Sequence, residues 1–449
     1  MDITFLGATR TVTGSCYLLH HRNSNILIDC GLYQGRKELT KRNYLGFAFR
    51  PADIDAVVLT HAHIDHSGLI PRLCMLGFKG KIYSTSATKD LCEILFQDNG
   101  KLQEEDAKRI NRQRLREGLP LIEPLYTRED AVEAMRYFSP VPYNTGQDTD
   151  VLPSDETSIK KSSSAPTNTE ASPQYSPSPA LRIPRWMPEG LTPRKLSRAG
   201  SPSGWREENK RKLIISGDIG KLHAPVVRDP SLFKEADYVL VESTYGNREH
   251  GDEEIDVLIS IIRRAVAEKG KIIIPAFSVG RTQDILYVLN DLVEHKRIPS
   301  IPVFLDSPLA IKATDIFKKH TECYDEETLA LLANRDEPFD FPRLSLTRAQ
   351  TESMEINNYD GAALIIAGSG MCEGGRVLHH LKHHIWKENT AIVFVGYQAE
   401  GTLGRKIQDG ERYVDILGDR CKVNARVYTL TSFSAHADSK QLHRWASSF

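Results

Sequence analysis

The sequence contains, at residues 59–68, the stretch Leu59-Thr60-His61-Ala62-His63-Ile64-Asp65-His66-Ser67-Gly68. It follows an apolar run, residues 55–59, whose composition predicts a buried strand. His61 and His63 are two residues apart, so in an extended backbone they project to the same side. Asp65 and His66 follow across the turn. This density of imidazole and carboxylate groups predicts a metal site, with His61 and His63 on one ion and Asp65 and His66 available to a second.

The overall composition is that of a soluble protein with more than one core. The chain has 449 residues and is 40% apolar, enough for two domains. Its formal net charge of −1 neither supports nor excludes RNA as a partner. Seven cysteines without a C-x-x-C pair argue for reduced thiols. Without a basic amino-terminal segment or an apolar run of spanning length, we expect a cytoplasmic protein with no membrane association.

Polar or glycine-rich residues follow most of the predicted strands. Short strands are predicted at 2–6, 15–19 and 25–29, and the third ends in Asp29. Further apolar runs precede Asp218, Glu242, Gly280-Arg281, Asp306-Ser307, Gly368-Ser369 and Gly396-Tyr397. Open α/β sheets build their sites from residues at the carboxyl ends of strands, so these positions are candidates for a functional site.

The composition changes between residues 147 and 208. Serine, threonine and proline dominate there, aliphatic residues are few, and no periodicity is present. Such a segment cannot bury enough apolar surface to offset the entropy of ordering, so it is predicted to be disordered.

Taken together, these motifs resemble those of the β-CASP branch of the metallo-β-lactamase superfamily. That branch comprises RNA-processing nucleases such as ribonuclease J and the endonuclease subunit of the eukaryotic cleavage and polyadenylation factor. The resemblance implies an α/β fold: an αββα metallo-β-lactamase sandwich at residues 1–246 and 432–449, with a smaller α/β β-CASP domain inserted at 247–431. The active site would lie in the cleft between the two.

The resemblance also implies roles for individual residues. Asp29 would support the metal ligands, His61 and His63 would hold one zinc, Asp65 and His66 the other, and Asp218 both. Asp65 would also orient the attacking water, and His436 in Ser-Ala-His-Ala-Asp, paired with Glu242, would be the general acid. The residues on the phosphate or substrate side would be Arg281, Ser307, Ser369, Arg376 and His380. Two Zn²⁺ ions are expected, with Mn²⁺ as an alternative. The expected partner is single-stranded RNA, and a homodimer is left open.

The chain departs from the family pattern at two histidines. No histidine occurs from Ser67 to Leu222, where the family has a ligand in a Gly-His-x-x-Gly-Ser segment. The family's last ligand histidine would fall beyond Phe449. His223 is a candidate replacement, although a histidine just past a bridging ligand is more often a surface residue. The cluster His379, His380, His383 and His384 has helical spacing, and we expect it to have a structural or phosphate-side role rather than to bind metal.

The function expected from these motifs is metal-dependent hydrolysis of single-stranded RNA. Two alternatives stay open. A catalytically silent RNA-binding or scaffold protein is favoured by the missing histidines, and zinc content would separate it from an enzyme. A hydrolase of small thioesters or lactones shares the fold, but the inserted domain and the pair formed by Glu242 and His436 count against it.

Overall fold

The structure is a computed structural model that describes residues 1–143, 181–184, 210–249 and 254–449. The first sheet has six strands among these residues: β1 Asp2–Phe5, β2 Tyr17–His21, β3 Ser24–Ile28, β4 Ala56–Val58, β5 Lys81–Ser84 and β6 Phe138–Pro140. They lie side by side in chain order. β1 to β3 pair antiparallel, and β3 to β6 pair parallel, so the carboxyl ends of β3 and β4 meet at one edge.

A second sheet contains, in the described part of the chain, β7 Leu181–Pro184, β8 Lys210–Ile215 and β9 Tyr238–Leu240. β7 pairs antiparallel with β8, and β8 pairs parallel with β9. The predicted disorder from 147 to 208 is therefore wrong at residues 181–184, because strand pairing with β8 satisfies their backbone groups. Most of that segment lies outside the described residues.

Helices connect and cover these sheets. The α-helices are α1 Lys37–Thr40, α2 Ile64–Ser67, α3 Ile70–Met75, α4 Ser86–Arg116, α5 Arg128–Ala134, α6 Ile255–Glu268, α7 Arg281–Glu294, α8 Pro308–Lys319, α9 Glu326–Ala333, α10 Gln350–Asn358, α11 Val377–His384, α12 Leu403–Gln408 and α13 Ser439–Ala446. The Thr85 side chain caps α4 by accepting from the Thr88 amide. The charged second half of α4 is helical and largely exposed.

The two sheets pack face to face. Ile28 and Val58 of the first sheet share a core with Leu213 and Ile215 of the second. On the outer face of the first sheet, the β4 residue Val57 joins a core that includes residues of α3 to α5. On the outer face of the second sheet, Ile214 packs with residues of α13. These four layers confirm the predicted αββα sandwich.

The remaining sheet is parallel. Its described strands are β10 Lys271–Pro275, β11 Val303–Leu305, β12 Leu344–Leu346, β13 Ala363–Ala367, β14 Ala391–Phe394 and β17 Arg426–Thr429, in the order β12-β11-β13-β10-β14-β17. A hairpin of β15 Tyr413–Ile416 and β16 Asp419–Lys422 precedes β17. β10, β13 and β14 are buried along their whole length, as expected for a parallel sheet covered on both faces.

Polar contacts join this sheet's domain to the sandwich. Asp90 of α4 accepts from Lys319 Nζ at 2.5 Å and lies 2.8 Å from His320 Nε2. Arg36 pairs with Glu400 across the two parts. The domains are therefore connected at more than one point beside the cleft. Within the described residues, no helix combines the length and apolarity needed to cross a membrane.

Candidate active site

The predicted site residues lie where strands of the two sandwich sheets end. Asp29 follows β3, His61 follows β4, Asp218 follows β8 and Glu242 follows β9. Gly217 allows the two sheets to approach at this point: its φ is +57°, and a Cβ there would lie 2.9 Å from Cβ of Thr60. A side chain at Gly217 would therefore push Asp218 away from the histidine loop.

A three-donor group forms around Asp218. His61 Nε2 lies 3.1 Å from His63 Nδ1 and 3.4 Å from Asp218 Oδ2. Ligand atoms of these three residues all lie within 4.8 Å of one another. Two imidazole nitrogens and a carboxylate oxygen converging at that spacing suit a divalent cation. The donor set thus fits the predicted metal.

Of the other two predicted ligands, His66 contacts Asp218 and Asp65 lies beside His66. His66 Nε2 is 3.2 Å from Asp218 Oδ1 and 3.9 Å from Asp65 Oδ2. Asp218 therefore presents one oxygen to His61 and the other to His66. This arrangement is what a carboxylate shared between two cations requires.

Asp29 holds the histidine loop in place. This fully buried carboxylate accepts from the Thr60 amide at 2.9 Å and from the Thr60 and Ser15 hydroxyls, each at 3.0 Å. Its Oδ2 also lies 2.7 Å from His66 Nδ1, which turns His66 Nε2 toward Asp218. These contacts fit the supporting role expected for Asp29, which stays a prediction.

Charges at the centre set the protonation of its histidines. Burial, together with the neighbouring His61, lowers the pKa of His63 to about 3, so His63 is a neutral imidazole able to ligate. Burial would lower the pKa of His66 as well, but Asp218 and Asp29 raise it well above its ordinary value. Burial opposes ionisation of Asp218, yet His66, His436 and His61 hold its pKa well below the usual range.

His436 and Glu242 form the second predicted group. His436 Nδ1 lies 3.3 Å from Glu242 Oε2, and its Nε2 lies 3.9 Å from Asp218 Oδ2. Glu242 is fixed in turn, because its Oε1 accepts from the Ile219 amide at 2.5 Å. Burial lowers the pKa of His436, but Asp218 and Glu242 outweigh it and raise that pKa to about 9. One imidazolium nitrogen thus faces Glu242 and the other faces the metal donors.

The backbone places His436 at this point. An isolated β-bridge joins Gly220 to His436, with the Lys221 amide bonded to Ala435 O at 2.8 Å and the Ala437 amide to Ile219 O at 2.7 Å. His436 is therefore tied to the same loop that carries Asp218.

His223 does not join the site. Its side chain is 87% exposed and lies 3.5 Å from Asp229, so the prediction that such a histidine is a surface residue holds.

The predicted phosphate-side residues lie at the carboxyl edge of the parallel sheet, and most of their polar atoms have internal partners. Arg281 bonds Asp284 at 2.9 Å, and Ser307 caps α8 by accepting from the Ala310 amide. Ser369 accepts from the Glu373 and Gly374 amides, at 3.0 and 3.2 Å. A substrate-side role for them stays a prediction.

Arg376 and His380 share a buried carboxylate. Asp306, at 0% exposure, lies 2.6 Å from Arg376 Nη1 and 2.7 Å from His380 Nε2. His380 is also fully buried, and its Nδ1 lies 3.0 Å from Asn357 Oδ1. Both ring nitrogens of His380 are therefore engaged inside the protein. Of the two roles expected for it, structural or phosphate-side, these contacts favour the structural one, and its role stays a prediction.

Two residues that support the site were not singled out from the sequence. Thr60 bonds Asp29 and has its hydroxyl 3.1 Å from His61 Nδ1, while Ser15 bonds the other side of the Asp29 carboxylate. Thr60 directly precedes the first histidine of the loop, which is a detectable signal. Ser15 is distant in sequence and becomes visible only through the pairing of β2 and β3.

Comparisons with known proteins agree with this geometry. The Metallo-beta-lactamase superfamily profile matches residues 9–123, the Beta-Casp domain profile matches 282–407, and the Zn-dependent metallo-hydrolase RNA specificity domain profile matches 420–449. Ribonuclease TTHA0252 of Thermus thermophilus is 34% identical over 99% of this chain and 90% of its own length. Transcription termination factor FttA of Methanocaldococcus jannaschii is 29% identical over 99% of this chain, and that of Methanococcus maripaludis is 30% identical over 98%. The chain spans 64% of each of these two factors.

The layered fold and the donor cluster define a metal-dependent hydrolase. The chain belongs to the β-CASP branch of the metallo-β-lactamase superfamily, which confirms the resemblance drawn from its motifs. Membership of this superfamily implies binding of divalent metal, and the His61, His63 and Asp218 cluster is a candidate site for it.

Proposed function

We propose that this protein cleaves phosphodiester bonds of single-stranded RNA with zinc, or alternatively manganese, at the Asp218 centre. The observation that carries the proposal is the position of His436, with one nitrogen 3.3 Å from Glu242 and the other 3.9 Å from Asp218. A half-buried proton donor beside a metal-ligand cluster suits a reaction with an anionic leaving group. Ribonuclease TTHA0252, which matches over nearly the whole chain, supports RNA as the substrate.

The metal ligands are His61, His63 and Asp218 for one ion and Asp65, His66 and Asp218 for the other. Divalent cations held there would supply neutralisation of the phosphate oxygens and a lowered pKa for the attacking water. Asp65 lies beside His66, and its pKa is raised by burial and by Asp218. A carboxylate in that position accepts a hydrogen bond from the water and orients it.

His436 acts on the other side of the scissile bond. The raised pKa keeps its ring protonated at neutral pH, and Glu242 accepts from Nδ1. That contact leaves the Nε2 proton directed toward the metal donors. We assign His436 Nε2 as the group that protonates the leaving 3′ oxygen, with Glu242 as its positioning residue.

The metal stoichiometry follows from the donor count. His61, His63 and Asp218 make a three-donor group. The second ion would need another imidazole besides Asp65 and His66, and residues 67–222 contain no histidine to supply it. Losing even a supporting contact costs about 10- to 100-fold in metal affinity, and losing a ligand costs at least as much. We expect the dialysed 449-residue chain to retain about one zinc equivalent, measured by inductively coupled plasma mass spectrometry. Two tightly held equivalents would contradict this.

The silent RNA-binding protein stays as a second candidate, because the interior of the chain lacks a histidine that the family pattern contains. A substrate panel separates the candidates. The full chain, loaded with Zn²⁺ or Mn²⁺, is given a labelled single-stranded RNA, a thioester and a lactone. RNA cleavage that stops on adding a chelator supports the proposal. Binding of RNA without cleavage indicates the silent protein, and turnover of the thioester or lactone alone indicates a small-molecule hydrolase.

A further inference from the structure

A row of flat side chains leads away from His436. The Tyr245 ring centroid lies 5.6 Å from that of His436. The Arg248 guanidinium carbon lies 5.3 Å from the Tyr245 centroid and 5.8 Å from the Tyr397 centroid. Arg248 thus lies between two tyrosine rings, and we call Tyr245, Arg248 and Tyr397 the stacking row.

The stacking row spans the two parts of the molecule. Tyr245 and Arg248 follow β9 of the sandwich, whereas Tyr397 follows β14 of the parallel sheet. Arg248 is exposed, and Tyr397 keeps 40% of its surface exposed. The Tyr397 end of the row therefore still offers a π-face or ring edge to solvent.

A second exposed ring lies beside the end of this row. Phe277, at the end of β10, is 38% exposed, and its ring lies 3.5 Å from a Cβ built on Gly396, the residue before Tyr397. A Cβ on Gly370 would come within 2.9 Å of the same ring. Because Gly370 has no side chain, the Phe277 ring fits beside it at the carboxyl edge of the sheet. Burial of apolar surface does not account for two exposed aromatic rings at adjacent strand ends.

We propose that the stacking row seats unpaired nucleobases of the RNA that flank the phosphate at His436. This inference rests on the proposed function and deepens it by naming the residues that recognise the strand. Unpaired bases stack on aromatic rings and on arginine guanidinium planes, and such stacking tolerates any base sequence. The positive charge of Arg248 adds attraction for the phosphate backbone.

Tyr397 is not needed to hold the two domains together. The ion pair of Arg36 with Glu400 and the contacts of Asp90 with Lys319 and His320 already join the two domains. Removing the Tyr397 ring leaves those contacts in place. Its loss should therefore be seen in RNA binding and not in the fold.

The test measures binding without cleavage. Fluorescence anisotropy of a fluorescein-labelled uridine oligonucleotide is recorded with the full chain in excess chelator. Tyr397→Leu removes the ring, and Tyr397→Phe keeps it. Tyr413→Leu is the matched control, since Tyr413 is 43% exposed and also lies near two arginines, Arg412 at 5.9 Å and Arg420 at 5.2 Å, but on the β15–β16 hairpin.

We expect Tyr397→Leu to weaken RNA binding about tenfold, as loss of one base–aromatic stack does. Tyr397→Phe and Tyr413→Leu should stay within about twofold of the unmodified chain. An oligonucleotide with one abasic site at the stacked position should bind the unmodified chain about tenfold more weakly and bind Tyr397→Leu with no further loss.

The outcomes separate this inference from the function on which it rests. Equal affinity of the unmodified chain and Tyr397→Leu overturns the stacking row, and so does a loss in Tyr397→Phe as large as that in Tyr397→Leu. In either case, metal-dependent cleavage by the unmodified chain leaves the proposed function standing. Tenfold weaker binding by Tyr397→Leu alone supports the row even if the chain does not cleave. No binding by the unmodified chain overturns the stacking row, and the proposed function is then decided by the metal-dependent cleavage assay alone.

Discussion

Asp218→Asn is expected to reduce RNA cleavage by at least about 10³-fold. The substitution keeps the shape of the side chain but removes the charge that faces His61 at 3.4 Å and His66 at 3.2 Å. Metal-ion catalysis supplies several kcal/mol, and about 1.4 kcal/mol corresponds to a tenfold change in rate. Single-turnover cleavage of a labelled single-stranded RNA, measured together with metal content, checks the prediction.

Asp229→Asn is the matched control. Asp229 lies on the same segment, bonds the His223 amide at 2.6 Å and is 41% exposed, away from the donor cluster. Its substitution should leave the rate within about twofold, as for an exposed side chain outside the site. Cleavage by Asp218→Asn at a rate near that of Asp229→Asn would show that the metal lies elsewhere.

His436→Ala is expected to slow cleavage by about 10²- to 10⁴-fold, the usual contribution of a general acid. RNA binding and the metal held by His61, His63 and Asp218 should change little, because His436 is not one of these three donors and lies instead in a second close group with Asp218 and Glu242. His443→Ala is the control, since His443 is an exposed residue of α13 a few positions further along. Loss of RNA binding in His436→Ala with the rate per bound complex unchanged would contradict the assignment.

The pH dependence separates an acid from a residue that only packs. His436 is active while protonated, so cleavage should fall as pH rises through its pKa. Glu242 contributes to the raised pKa of His436, and Glu242→Gln removes that contribution. The alkaline limb of the rate profile of Glu242→Gln should therefore move to lower pH. An alkaline limb at the same pH in both chains would show that Glu242 does not act through His436.

The sandwich and the metal loop could be predicted from the sequence because the residue patterns that indicate them are local. The apolar run before His61 and the spacing of His61, His63, Asp65 and His66 are contained within a dozen residues. The apolar run predicts a strand, and the imidazole and carboxylate groups that follow it predict a metal site. The position of Asp218 followed from a similar strand ending in a carboxylate.

The remaining features depend on contacts between distant segments. Ser15 reaches Asp29 only because β2 pairs with β3. Whether His380 faces a phosphate or Asp306 is decided by packing between α11 and the end of β11, which no local pattern encodes. The strand at residues 181–184 is stabilised by pairing with β8, a contact that composition cannot predict.

The stacking row was not predicted for the same reason. Tyr245 and Tyr397 lie about 150 residues apart in the chain, and their relation to Arg248 follows from how the two domains close. Tyr397 was a candidate because it follows a predicted strand, but nothing in the sequence relates it to Tyr245 or Arg248.

A metal titration of single-turnover RNA cleavage tests most directly whether this chain is a metal-dependent ribonuclease. The metal-free 449-residue chain is bound to a labelled single-stranded RNA, and Zn²⁺ or Mn²⁺ is added in steps while bound metal and product are measured together. We predict that product formation rises with metal bound at the Asp218 centre and stops when a chelator removes it. RNA that stays bound and intact at full metal loading would contradict a nuclease and establish a catalytically silent RNA-binding protein.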